Sequence, residues 1–192
     1  ASAVPFVSEP ITILWPAGRP ILQPDSPILA LATAGQRDVQ IFDAYLNYAS
    51  QVPRGDLLLQ SLTASIFSRT GDVLTPVSGA SVFASARLLI DDDIWAVDSS
   101  LAASTTLLWS SNEYRLPVNS EVRVQLEVDI RTDARLGNYV MTFTDSTFMR
   151  FVDEHVDTAL YVILASGSYP LKSTELSVSA ADLNGSFTNF PN

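Results

Sequence analysis

The 192-residue chain contains no cysteine, one histidine and one lysine. Without cysteine there are no disulfide staples, no thiolate metal ligands and no cysteine nucleophile. With His155 as the only imidazole, a Ser-His-Asp relay would have to pass through it, and no Gly-x-Ser-x-Gly elbow supplies the serine. His155 sits among Asp153, Glu154 and Asp157 and reads as an exposed residue of an acidic loop. A zinc site of three or four N or S ligands is excluded on the same count. None of the eight glycines forms a Gly-x-Gly, so a dinucleotide fingerprint and a phosphate-binding loop are both missing. Basic residues are scarce too: 11 against 21 acidic ones give a net charge of -10, the wrong sign for a nucleic-acid partner. No apolar run approaches the roughly 18 residues of a membrane span, and no charged-then-apolar leader is present in the chain as written.

What the chain does have is apolar content. Hydrophobic residues make up 47% and charged residues 17%, enough to bury a core, and the length suits one domain. The first 27 residues are set apart by Pro5, Pro10, Pro16, Pro20, Pro24 and Pro27, which exclude helix and central strand. Between them lie Phe6, Ile11, Ile13, Trp15, Ile21 and Leu22, too apolar for a solvated linker. The expected organisation is an extended arm over 1–27 and a single β-domain over 28–192. Ile11, Ile13 and Trp15 alternate as an edge strand would, and together with Ile21 and Leu22 they are the expected contacts to a neighbouring subunit.

From Ile28 onward strand signals alternate with turns, and no helical period persists. The clearest strand is Glu121–Ile130, where Val122, Val124, Leu126, Val128 and Ile130 alternate with polar residues. Others are expected at 38–48, 57–67, 81–90, 94–97, 105–109, 114–116, 138–144, 147–152, 159–165 and 175–180. In 38–48 the apolar residues Phe42, Tyr45, Leu46 and Tyr48 blur which face is buried. A short helix is expected at 153–159, where Asp153 and Glu154 suit a first turn. Strands about ten residues apart imply an all-β, two-sheet sandwich, Ig-like or jelly-roll.

Two groups of residues remain as candidates for chemistry. Asp91, Asp93 and Asp98 form an acidic cluster that calcium could use, since calcium takes six to eight oxygens from loop carboxylates and carbonyls. In an extended segment Asp91 and Asp93 point one way and Asp92 the other. No other cofactor is expected. Among the aromatics, Trp95 and Trp109 lie in the loop-rich middle and are the candidates for stacking on a sugar ring. A glycosidase pair of carboxylates is weighed against the small size of the fold, and no enzymatic activity is expected. The sequon at Asn184 fits a surface turn.

The stretches 62–76, LTASIFSRTGDVLTP, and 121–130, EVRVQLEVDI, followed by 134–143, ARLGNYVMTF, resemble Ig-like or cohesin-like β-sandwich modules of bacterial surface proteins. The resemblance covers about a third of the chain and implies adhesion, scaffolding or filament building, in some members with carbohydrate binding. The expected function is therefore a non-catalytic structural module of an extracellular assembly. It would engage copies of itself or other surface proteins through sheet edges and the N-terminal arm, as a donor strand does. A carbohydrate-binding or adhesion module is the alternative, and a viral jelly-roll structural protein a further one. An extracellular location is expected from the start at Ala1 without Met and the Lys-poor surface, although Met removal explains such a start equally well.

Overall fold

The strict alternation of residues 120–130 turns into a central strand, and the rest of one sheet is ordered around it. The structure, a computed structural model, describes residues 18–25, 30–49, 55–98, 101, 104–110, 114–154 and 158–180. Among these, the strands in chain order are β1 (Ile21–Pro24), β2 (Ala30–Thr33), β3 (Val39–Tyr48), β4 (Leu57–Thr70), β5 (Val73–Pro76), β6 (Phe83–Ile90), β7 (Asp93–Asp98) and β8 (Thr106–Trp109). They continue with β9 (Tyr114–Leu116), β10 (Ser120–Ile130), β11 (Gly137–Phe143), β12 (Met149–Asp153), β13 (Ala159–Tyr161), β14 (Ile163–Leu164), β15 (Leu171–Lys172) and β16 (Leu176–Ser179).

Six strands form one sheet in the order β14-β1-β3-β10-β6-β7. The second sheet runs β13-β12-β4-β11-β16-β2, with β15 on β11 and the short strands β5, β8 and β9 in succession along the other side of the 14-residue β4. The chain is thus an all-β sandwich, as the strand pattern predicts. Inward-facing residues of both sheets supply the core: Val122, Val124, Leu126, Val128 and Ile130 from β10 and Leu57, Leu59, Leu62, Ala64 and Ile66 from β4. Each fully buried Leu or Ile here stabilises the fold by about 1.5–3 kcal/mol. Phe143 lies between Phe42 and Phe148 with ring centroids 4.8 Å from each, at tilted angles that favour aromatic pairs. Among the described residues, no helix is long and apolar enough to cross a membrane.

Four sequence expectations change. Ile21–Pro24, assigned to the arm, is a strand of the six-stranded sheet, parallel to β14 and antiparallel to β3. Leu22 is fully buried in the chain's own core, so it is no contact for a neighbouring subunit, whereas Ile21 stays 36% exposed on the outer face. Pro20 precedes this strand and Pro24 is its last residue, so neither interrupts it. Ile11, Ile13 and Trp15 lie outside the described residues. The helix expected at 153–159 gives way to a hairpin: Val152 pairs with Ala159, and the N–H of Asp153 donates to the Thr158 carbonyl at 3.1 Å. Residues 155–157, and with them His155 and Asp157, lie outside the described residues. The apolar run 159–165 is split at the buried Val162, where the chain leaves one sheet as β13 and enters the other as β14. The start of the 147–152 strand is a 3-10 turn over Ser146–Phe148, capped by the Asp145 carboxylate on the Thr147 N–H at 2.8 Å.

Candidate ligand cleft

The β6–β7 hairpin turns on Asp91 and Asp92, both with positive φ, at 51° and 68°. A two-residue turn of this left-handed kind matches the twist of the flanking strands, and aspartate tolerates it better than most residues. The turn is tied to β10 in both directions. The Asp91 N–H donates to the Arg123 carbonyl at 2.9 Å, and the Arg123 N–H donates to the Asp91 carboxylate at 2.8 Å. Asp91 is therefore held with one carboxylate oxygen engaged. The Arg123 guanidinium is spent elsewhere: it grips the Asp43 carboxylate through Nε at 3.0 Å and through Nη2, and reaches Asp92 only at 3.8 Å.

Beyond the turn, the pairing of β6 with β7 slips by one. Leu88 faces Ala96, yet the next residue, Leu89, faces Ile94, so β7 carries Trp95 as an extra residue in a β-bulge. A bulge re-aims side chains. Ala96 stays buried, Ile94 turns to the outer face, and Trp95 lies half-buried against the core between them. From the other sheet comes Tyr114, the first residue of β9, paired with Leu59 of β4. Its hydroxyl pKa is raised, first by burial and then by the Asp91 charge.

These elements enclose an open cleft of about 290 Å³ lined by Ile90, Asp91, Asp93, Ile94, Trp95 and Tyr114. It sits where the edge of the six-stranded sheet meets β9 of the other. Two aromatic rings and two carboxylates around an open cleft can pack against the apolar face of a ring and accept hydrogen bonds from its substituents.

Of the residues singled out in sequence, the cleft gathers Asp91, Asp93 and Trp95 and leaves out two. Trp109 is fully buried between the sheets, its Nε1–H donating to the Ala86 carbonyl at 3.0 Å, so it is a core residue with no face for a sugar. Asp98 lies at the opposite end of β7 from Asp93, roughly 16 Å away at strand rise, and its carboxylate accepts the Leu101 N–H at 3.0 Å. The three carboxylates suggested for calcium are thus not brought together, and among the described residues no three acidic or histidine side chains form a metal cluster. Tyr114, like Ile90 and Ile94, lines the cleft without having been singled out in sequence. Tyr114 is 23 positions from Asp91 and in the other sheet, and in sequence it was one of several Trp and Tyr residues with nothing to set it apart.

A second hollow of about 280 Å³ lies at the far end of the sandwich, lined by Gly35, Arg37, Asp129, Arg131 and Asp133 among others. Three of its charged residues, Asp129, Arg131 and Asp133, are paired internally. Arg87 pairs with Asp38 and, at 2.8 Å, with Asp129; Ser85 and the Asp38 N–H also donate to Asp129, and Arg131 pairs with Asp133.

No protein-family model and no curated protein matches the chain. Among solved structures it is similar to AvmM, which catalyses macrocyclization in alchivemycin A biosynthesis, at 11% identity over 86% of this chain and 92% of that one, with a TM-score of 0.44. It is similar to the seventh ScaB type I cohesin of Pseudobacteroides cellulosolvens, at 8% identity over 85% and 94% of the two chains, with a TM-score of 0.37. It is also similar to the CssB subunit of enterotoxigenic Escherichia coli colonization factor CS6, complemented with a donor strand from CssA, at 11% identity over 84% and 97%, with a TM-score of 0.30. A cohesin module and a donor-strand-complemented subunit thus stand among its structural neighbours.

Proposed function

We propose that the chain is a non-catalytic adhesion module of an extracellular assembly, and that it binds a carbohydrate in the Asp91–Tyr114 cleft. The observation that carries this reading is the convergence of Trp95 and Tyr114, from different sheets, on one open cleft with two carboxylates. Sugar recognition needs an apolar face for the ring and acceptors for its hydroxyls, and this cleft offers both without any cofactor. The test is a glycan array followed by titration calorimetry with the intact chain and with Trp95→Ala. Binding of a glycan that weakens about ten-fold or more in the variant, the loss of roughly 1.4 kcal/mol of stacking, supports the module. Silence across the array removes it.

The assembly role has its own support. The residues Ile21–Pro24 of the proline-rich segment pair as a strand between β3 and β14, so this stretch joins a sheet by strand addition. In this second reading, residues 1–17 carry the same chemistry to a neighbouring copy. Removing 1–17 while keeping β1 leaves a folded sandwich that no longer assembles, as read by light scattering. Unchanged assembly of that variant refutes it.

A further inference from the structure

The lining of the cleft has one sign of charge. Its two ionisable acceptors, Asp91 and Asp93, are joined by Asp92 in the same turn, and among the described residues that line it there is no Lys, Arg or His. The nearby cation, Arg123, is engaged by Asp43. Ionised carboxylates accept hydrogen bonds and donate none, so a neutral sugar can donate hydroxyls to them but leaves their charge to be screened by solvent alone. A ligand that brings N–H donors and positive charge along with a ring bearing an apolar face satisfies both halves of the site. The positive charge also gains from lying over aromatic faces.

Resting on the carbohydrate reading above, we propose that the ligand is a cationic amino sugar, a glycan chain bearing free primary ammonium groups, with the ammonium between Asp91 and Asp93 and the ring against Trp95. Two further observations agree. Asp91 is fixed in place by its paired backbone bonds to Arg123, so its acceptor is oriented before the ligand arrives. The chain's net charge of -10 steers a polycation toward it. A lysine-rich peptide would share the charge but offers no sugar ring whose apolar C–H face could cover Trp95.

The experiment is titration calorimetry of the full chain at pH 5.5 with four probes: a glucosamine hexamer, its fully N-acetylated counterpart, a cellulose-type glucose hexamer, and hexalysine. The glucosamine hexamer is expected to bind about ten-fold tighter than the N-acetylated and glucose hexamers. Its binding is expected to weaken several-fold between 50 and 200 mM salt (roughly a Debye length of 14 to 7 Å). Asp93→Asn, a change at an exposed position, should remove most of that preference, and Trp95→Ala should remove binding to all three sugars. Equal or tighter binding of the N-acetylated or glucose hexamer, still dependent on Trp95, overturns the cationic assignment and leaves the carbohydrate module standing. Tighter, Trp95-dependent binding of hexalysine assigns the cleft to basic peptides and overturns the sugar. No binding of any hexamer overturns both.

Discussion

The two tryptophans that look alike in sequence should behave as opposites, and the difference can be worked from their surroundings. Trp109 is about 1% exposed, so nearly its whole side chain leaves water on folding. A Trp of this kind buries on the order of 200 Å² of mostly apolar surface, worth about 5 kcal/mol at 25 cal/mol per Å². Large-to-small replacements in cores cost about 3–5 kcal/mol, because the cavity relaxes only in part. Trp109→Ala should therefore destabilise the chain by about 4 kcal/mol. At about 2–4 °C per kcal/mol for a domain of this size, the melting temperature should fall by roughly 8–16 °C. Trp109→Phe keeps most of the ring and loses the bond to Ala86, which predicts a loss of about 1–2 kcal/mol. Trp95 lies half-buried at a bulge on an edge strand, and Trp95→Ala should cost about 1–2 kcal/mol by proportion. Urea denaturation followed by far-UV circular dichroism measures all three, and glycan titration supplies the cross-check. Trp109→Phe should keep ligand affinity while Trp95→Ala loses it. A Trp109→Ala midpoint equal to that of the unaltered chain, or a larger loss from Trp95→Ala than from Trp109→Ala, would refute these placements.

Leu22→Ala should cost about 2–4 kcal/mol in the same assay, because Leu22 is a core residue of β1; a change within ±0.5 kcal/mol would mean that β1 does not dock in solution. Arg87→Leu should cost about 1–2 kcal/mol, since it leaves the partly buried Asp129 carboxylate beside Glu127 and Asp38 without its cation. Asp129 itself gives a pH dependence. Burial pushes its carboxyl up, but the Ser85 hydroxyl, the Asp38 N–H and the Arg87 charge outweigh that and hold it below the usual carboxylate range. Its contribution is therefore complete above about pH 4, the unfolded value, and is lost as the pH falls through the lower folded value. Denaturation midpoints of Asp129→Asn should fall less steeply than those of the unaltered chain as the pH drops from 4.5 to 2, and parallel curves would count against the network. Asp92→Gly, at φ 68°, should raise stability by about 0.5–1 kcal/mol, because glycine adopts this conformation without strain; a lower urea midpoint would show that the distant Arg123 contact outweighs the relief of strain.

The sandwich was legible where alternation was clean and illegible where a bulge shifted its phase. β10 alternates without interruption on its inner face and was read correctly. In β3, Leu126 pairs with Phe42 and Glu127 with Gln40, so Ile41 is an extra residue, and Ile41 and Phe42 are buried side by side. That slip is why its apolar residues blurred the face in sequence. In β8 the four residues Thr-Leu-Leu-Trp allow either phase. Pairing with the buried Leu62 and Ala64 of β4 decides it, turning Leu107 and Trp109 inward and Leu108 outward. The acidic residues 153–154 suit a helix start locally, but pairing of β12 with β13 overrides that preference. For the site, Asp91, Asp93 and Trp95 were legible as residue types in one segment. Their union with Tyr114 depends on β9 being placed by β4, a non-local pairing that no spacing in the sequence encodes.

The same bulge that makes the cleft also bears on assembly. β7 is an edge of the six-stranded sheet, and an edge with exposed Ile94 and Val97 invites another chain to pair with it. A bulge at Trp95 twists such an edge away from a flat template, and aspartates at both ends, Asp93 and Asp98, repel the edge of an identical acidic copy. The opposite edge differs. There β14 is two residues long, Ile163 and Ile21 are partly exposed side by side, and β1 enters from the N-terminal segment. If the proposed recognition uses the β7 edge and the proposed strand addition uses the β1–β14 edge, the two do not compete for the same surface. It follows that a chain lacking residues 1–17 should bind its glycan with unchanged affinity, and that Trp95→Ala should assemble normally. If either variant lost both properties together, the two edges would not be independent.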